Sequence, residues 1–96
     1  MARRQYLISY DISDDKRRTR VFKTLMAQGD HVQFSVFLCA LSPQELAGLR
    51  VVLKEIIHAR DDQIILIDLG EAGDSMENLL ECLGKCYNPT TRVLVV

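Results

Sequence analysis

Residues 31–41 read "HVQFSVFLCAL". Aromatic and β-branched residues make the whole stretch strand-forming. It is long enough for two short strands with a tight reversal near Phe34–Ser35, or for one bent strand, and taken alone it does not choose. Its flanks favour the first. A strand and a helix precede it, and a helix and a strand follow. That order closes into a simple sheet when the middle piece is a hairpin, giving β-α-β-β-α-β. The fold class expected is therefore α+β: a ferredoxin-like sandwich with both helices on one face of the sheet, continued by a C-terminal extension strand.

The upstream strand is "RQYLISY", residues 4–10. Alternate side chains of a strand share a face. Tyr6, Ile8 and Tyr10 therefore fall together, and Leu7, Ser9 and Asp11 oppose them. The first set is the more apolar and is expected under the helices. Asp11 is left on the other face, at the strand's carboxyl end. In the helix that follows, Ser13 is the expected N-cap, and Asp14 and Asp15 suit the positive end of the helix dipole. Val21, Phe22, Leu25 and Met26 form the apolar stripe, and Gly29 is expected as the C-terminal cap. Lys16, Arg17, Arg20 and Lys23 fall to the wet side. Arg18 lies at the end of the stripe nearest Asp11.

Downstream, "SPQELAGLRVVLKEIIHAR" is the clearest helix. Ser42 and Glu45 have capping-box spacing, and Pro43 takes the first helical position. Leu46, Leu49, Leu53, Ile56 and Ile57 make its stripe. In "DDQIILIDLG", the unbroken apolar run Ile64–Ile67 predicts a central strand covered on both faces. "SMENLLECLGKC" predicts a short helix with Met76, Leu79, Leu80 and Leu83 inward, "YNPTT" a turn and "RVLVV" a last strand. Without an internal repeat or linker, residues 1–96 are read as one domain.

Composition bounds the function. At 96 residues, 48% hydrophobic and 26% charged, the chain can bury a core. The net charge of −1 names no partner, but its distribution is uneven. Residues 1–30 carry seven Lys/Arg and four Asp/Glu, a balance of +3; residues 31–96 carry five and nine, a balance of −4. A positive face on the first helix is consistent with this. Three cysteines and no long apolar run suggest a reduced, cytoplasmic protein outside the membrane. Cys82 and Cys86 are four apart, yet no second pair or nearby His completes a metal site, so ordinary half-buried cysteines are expected. His58 suits the C-terminal end of a helix. Phe34 and Phe37 read as core or interface before base-stacking residues. There is no P-loop, dinucleotide fingerprint or Ser/His/Asp arrangement.

A sheet with helices on one face leaves the other bare, showing Leu7 and Ser9. A second copy is the commonest cover for such a face, and "RVLVV" is a natural edge strand to join that copy's sheet. In a two-fold dimer Asp11 would meet its own counterpart. Paired carboxylates repel unless they share a proton or a cation. Mg²⁺ accepts one or two carboxylates and keeps waters, and could activate water or steady a phosphodiester oxygen. The competing reading, an aspartate capping the next turn, is favoured by spacing alone. Lys16, Arg17, Arg18, Arg20 and Lys23 could engage several phosphates. Against that stands a solvated helix face with local Asp14–Arg18 and Asp15–Arg18 pairs.

Two segments in order, "YLISYDISDDKRRTRVFKTL" (6–25) and "GDHVQFSVFLCALSPQEL" (29–46), resemble the CRISPR-associated protein two family. The resemblance covers about half the chain; residues 47–96 fit by length and element order. It implies a ferredoxin-like fold and a homodimer packed through its sheets, the tail strand joining the partner. It also implies a role in spacer acquisition, in which the dimer sits between two dimers of the partner integrase and holds the incoming duplex. Some members are described as magnesium-dependent endonucleases on single-stranded RNA or duplex DNA. The family's metal-site aspartate falls on Asp11, preceded by Tyr10; its helix arginines on Arg18 and Arg20; its cleft aromatic on Phe37; its motif serine on Ser35.

The expected catalytic residues are accordingly Asp11, Arg18 and Arg20, with Asp11 as the Mg²⁺ ligand. The expected nucleic-acid contacts are Tyr10, Lys16, Arg17, Arg18, Arg20, His31 and Phe37. Two positions depart from the pattern. His31 stands where many members have Arg, and histidine sheds its charge near neutral pH, so a phosphate contact there would be weaker and pH-dependent. Leu38 stands where many have an acid. Two other readings stay open: a non-catalytic, DNA-holding scaffold of the integrase complex, and a ferredoxin-like regulatory domain.

Overall fold

The computed structural model describes residues 3–73 and 80–85. The order of elements is β1 (Arg4–Asp11), α1 (Asp15–Met26), β2 (Asp30–Gln33), β3 (Val36–Leu41), α2 (Pro43–Ile56) and β4 (Gln63–Glu71). Residues 31–41 do divide, and Phe34–Ser35 form the turn between β2 and β3. The strands make one antiparallel sheet in the order β2-β3-β1-β4, the ferredoxin-like arrangement.

The core lies between the sheet and the two helices. Ile8 and Phe37, opposite each other across β1 and β3, are wholly buried. Tyr6, Tyr10, Cys39 and Leu41 extend this layer, and Val21 and Leu25 of α1 with Leu46, Leu49, Leu53 and Ile56 of α2 close it. The predicted stripes are thus the buried ones. The capping box at Ser42 is complete: its hydroxyl accepts from the Glu45 amide at 3.2 Å while the Glu45 carboxylate accepts from the Ser42 amide at 2.8 Å.

Other expectations need correction. The N-cap of α1 is Asp14, not Ser13; its carboxylate accepts from the Arg17 amide at 2.9 Å. A carboxylate there also complements the helix dipole, so it displaces the neighbouring hydroxyl from the role. Gly29 is not the cap of α1, which ends at Met26 with Ala27 as C-cap. It is needed for close approach: a Cβ at Gly29 would lie 2.4 Å from the Leu38 carbonyl oxygen and 2.6 Å from Cys39 Sγ. Strand β4 is not central. Among the described residues it is an edge of the sheet, and Ile65, Ile67 and Leu69 are 45–46% exposed. Its apolar run splits between faces: Ile64 and Leu66 pack on the core, and the alternate residues point to the other side.

Residues 80–85 form no helix; Leu83 is exposed and Gly84 has φ 91°. That left-handed backbone is incompatible with a continuing α-helix. Met76, Leu79, Cys86, "YNPTT" and "RVLVV" lie outside the described residues. No helix among the described residues is long and apolar enough to cross a membrane.

Candidate functional site

Strand β1 ends where α1 begins, and the short loop between them is held by one side chain. The Arg18 guanidinium donates to the Ile12 carbonyl at 3.0 Å and the Ser13 carbonyl at 3.2 Å, and pairs with Asp15. Arg18 thereby ties the first turn of α1 to the backbone just beyond Asp11. Asp11 itself is exposed and opposite Gln63 on β4. With Asp14 as the cap, Asp11 has no capping duty, and its side chain takes part in no hydrogen bond or ion pair among the described residues. Its side chain shares the second sheet face with Leu7 and Ser9.

On the helix-covered side, Tyr10, Arg18, Thr19, Phe22, His31 and Phe34 surround a cleft of about 240 Å³. Aromatic packing fixes its back wall. The His31 ring lies nearly parallel to Phe37 with centroids 4.7 Å apart, and meets Phe22 edge-on at 5.1 Å. Phe37 also stacks with Tyr10 at 6.4 Å. The His31 Nε2 lies 3.1 Å from the Phe34 carbonyl. A carbonyl only accepts, so Nε2 carries the hydrogen and donates. His31 therefore pins the β2–β3 turn. Burial pushes the Tyr10 phenol above its ordinary range, and the nearby charge of Arg18 opposes that shift more weakly.

The predicted residues thus separate into three places. Tyr10, Arg18 and His31 meet at the cleft. Phe37 supports it from behind and is fully buried, so it offers no free ring face. Arg17 points elsewhere. Its Nε donates to Asp62 at 2.6 Å and a terminal nitrogen donates at 3.2 Å. The Asp62 side chain is shut off from solvent. The Arg17 hydrogen bond, then the His58 amide at 2.8 Å, hold the Asp62 carboxyl below its usual range. Arg17 therefore joins α1 to the loop before β4. Lys16 and Arg20, like Lys23, are exposed and enter no ion pair among the described residues.

Thr19, Phe22 and Phe34 escaped the sequence reading as cleft residues. Helical spacing was the available signal for two of them, since Phe22 follows Arg18 by four residues and Thr19 by three, which puts all three on one side of α1.

Among the described residues, no cluster of three or more His, Cys, Asp or Glu side chains could hold a metal. Asp11 offers one hard oxygen donor of the kind Mg²⁺ accepts. The chemistry suits the ion, but the described residues of one chain gather no group of three such ligands. Cys82 is exposed with a free thiol, and Cys39 is buried, its thiol pushed up to about 11 by desolvation.

This strand, helix and cleft arrangement has known counterparts. The family model for CRISPR associated protein Cas2 matches residues 4–77. The chain belongs to the Cas2 family. It is 35% identical over 95 residues to CRISPR-associated endoribonuclease Cas2 1 of Rhodospirillum rubrum, covering 99% of this chain and 92% of that one. It is 32% identical over 91 residues to the CRISPR-associated endoribonuclease Cas2 of Geobacter sulfurreducens, covering 95% of each. The crystal structure of Streptococcus pyogenes Cas2 at pH 6.5 superposes with a TM-score of 0.72 at 30% identity, covering 83% of this chain and 99% of that one. The Cas2 fold is thus shared well beyond the two segments that first suggested it.

Proposed function

We propose that this Cas2 family chain works as a homodimer in CRISPR spacer acquisition, with the partner integrase, and binds nucleic-acid backbone through α1. Its relatives' names support a nuclease, and we assign phosphodiester hydrolysis as its reaction. The carrying observation is that exposed Asp11 shares a sheet face with Leu7, Ile65 and Ile67, whose apolar surface is left open by the chain's own helices. Two copies joined by that face bring two Asp11 carboxylates to one axis.

Mg²⁺ would be held there by both Asp11 side chains and water, where it would polarise a phosphate oxygen and activate water. Asp11 supplies the ligand oxygens. Arg18 keeps the adjoining loop in place, acting as a positioning residue. Lys16, Arg20 and Lys23 hold backbone phosphates without reading sequence. Arg17 is reassigned from phosphate contact to structural support, because Asp62 already engages it.

A metal-dependent cleavage assay on single-stranded RNA and duplex DNA tests the reaction. Wild-type activity should require Mg²⁺ and fall to background in Asp11→Asn. Cleavage that persists in Asp11→Asn rules out this mechanism. Exposed Lys16, Arg20 and Lys23, without ion pairs among the described residues, serve a second reading equally well, the non-catalytic scaffold. Spacer acquisition in cells that survives Asp11→Asn selects it. The regulatory-domain reading requires acquisition to survive charge reversal at Lys16 and Arg20.

A further inference from the structure

Asp62 is the one buried charged residue among the described residues, and it ends the turn that leads into β4. One of its carboxylate oxygens accepts from Arg17 Nε at 2.6 Å and from the His58 amide at 2.8 Å; the other accepts from an Arg17 terminal nitrogen at 3.2 Å. Its own amide donates to the His58 carbonyl at 2.9 Å, so backbone and side chain are both fixed. Taking a carboxylate and a guanidinium out of water is costly, and an apolar pair of similar volume holds a fold together as well or better. What the two-pronged pair adds is geometry, because it fixes distance and angle together.

That geometry surrounds Asp11. Asp62 is followed by Gln63, which pairs with Asp11 across β4 and β1. In the other direction, Asp11 leads through Ile12 and Ser13 to Asp14, whose carboxylate accepts from the Arg17 amide at 2.9 Å. Arg17 then returns to Asp62. Strand pairing, loop, helix cap and ion pair thus close a ring through the backbone of Asp11. Opening the ring at Asp62 uncouples the first turn of α1 from the start of β4. Arg18 still ties that turn to Ile12 and Ser13, which leaves loop and helix to shift together.

We propose that Asp62 is a positioning residue for the metal site: acting through Arg17, it sets where the Asp11 carboxylate points, without itself meeting metal or phosphate. The inference rests on the reading of Asp11 as the Mg²⁺ ligand given above. Mg²⁺ demands near-ideal octahedral geometry, and partners that orient a ligand typically change metal affinity by ~10–100-fold when removed. In a homodimer each copy carries the ring, so loosening it misplaces both carboxylates.

The test uses Mn²⁺ in place of Mg²⁺, since carboxylate and water oxygens suit both. Loss of the free-ion electron paramagnetic resonance signal reads binding without any cleavage. The full-length wild type should take up Mn²⁺, and Asp11→Asn should not. Asp62→Asn keeps an acceptor for the His58 amide and loses the charge; it should bind Mn²⁺ about tenfold more weakly. Gly29→Ala, which strains β2 against β3 instead, should bind as the wild type does despite a lower Tm. Arg17→Lys keeps the charge and loses the fork, so it should also weaken binding, and it decides the matter if Asp62→Asn does not fold. Unchanged Mn²⁺ affinity in the folded variant, or an equal loss in Gly29→Ala, overturns the inference and leaves the metal site intact. A wild type that takes up no Mn²⁺, or uptake that survives Asp11→Asn, overturns the metal reading and this inference with it.

Discussion

The two faces of the sheet are built from similar residues and have different fates. On one, Ile8, Phe37 and Cys39 are sealed beneath α1 and α2. On the other, Ile65 and Ile67 of β4 remain nearly half exposed beside Leu7, although Leu38 opposite Leu7 is buried. Apolar content alone therefore does not say what covers a strand. Helices of the same chain cover the first face and leave the β4 side of the second open.

The largest expected effect comes from the sealed face. Phe37→Ala should lower stability by about 3–5 kcal/mol, read from the urea midpoint. At the same high dilution, Ile67→Ala should lower it by less than about 1 kcal/mol, while weakening self-association in sedimentation equilibrium. Equal losses for the two variants would break the contrast and make both faces parts of one core.

A smaller loss tests how tightly the sealed side is packed. Gly29→Ala places a methyl against the Leu38 carbonyl and Cys39, atoms with little room to retreat. The expected cost is about 1–3 kcal/mol, measured by thermal unfolding. No change in Tm would mean the β2–β3 backbone is looser than this packing requires.

The smallest effect is a change in pH response. Asp62 has a depressed carboxyl pKa in the fold, chiefly through its Arg17 hydrogen bond. The unfolded chain therefore takes up the proton first as pH falls. This contribution is full above the ordinary value of 3.8 and is lost as pH drops through the lower folded value. Asp68 and Glu45 are depressed as well and act in the same acidic window. Asp62→Asn should flatten part of the fall in Tm between about pH 5 and pH 2. An unchanged slope would remove the Arg17–Asp62 pair as a pH-dependent clasp on the helical side.

Much of this architecture was legible because it is local. The alternation of β1, the stripes of both helices and the Ser42–Glu45 box are patterns within one element, and each reappears in the fold. The hairpin was legible by topology rather than by its own residues. What failed depended on distant partners. Arg17 looks like any other cation of α1 until Asp62, 45 residues away, is folded against it. Gly29 resembles a helix terminator until β3 arrives beside it. Phe37 carries the family's aromatic, yet three neighbouring rings enclose it. The run Ile64–Ile67 reads alike whether helices or a second molecule cover its outer half. Around the cleft, Tyr10, Arg18 and His31 were anticipated, whereas Phe34, read first as core or interface, is left 84% exposed by the β2–β3 turn and is no core residue.

One irregularity limits how β4 can be extended sideways. Gln5 pairs with Gly70 and Tyr6 with Asp68, so Leu69 is an extra residue in the ladder. Gly70 adopts φ 104°, and its amide donates to Asp68 at 2.8 Å. Such a bulge bends its strand and sharpens the local twist. A foreign strand laid along β4 would therefore find regular pairing only from Gln63 to Asp68. Beyond that point it must make a matching kink or part company, which sets a natural stop on sheet growth and guards this border against open-ended stacking of chains.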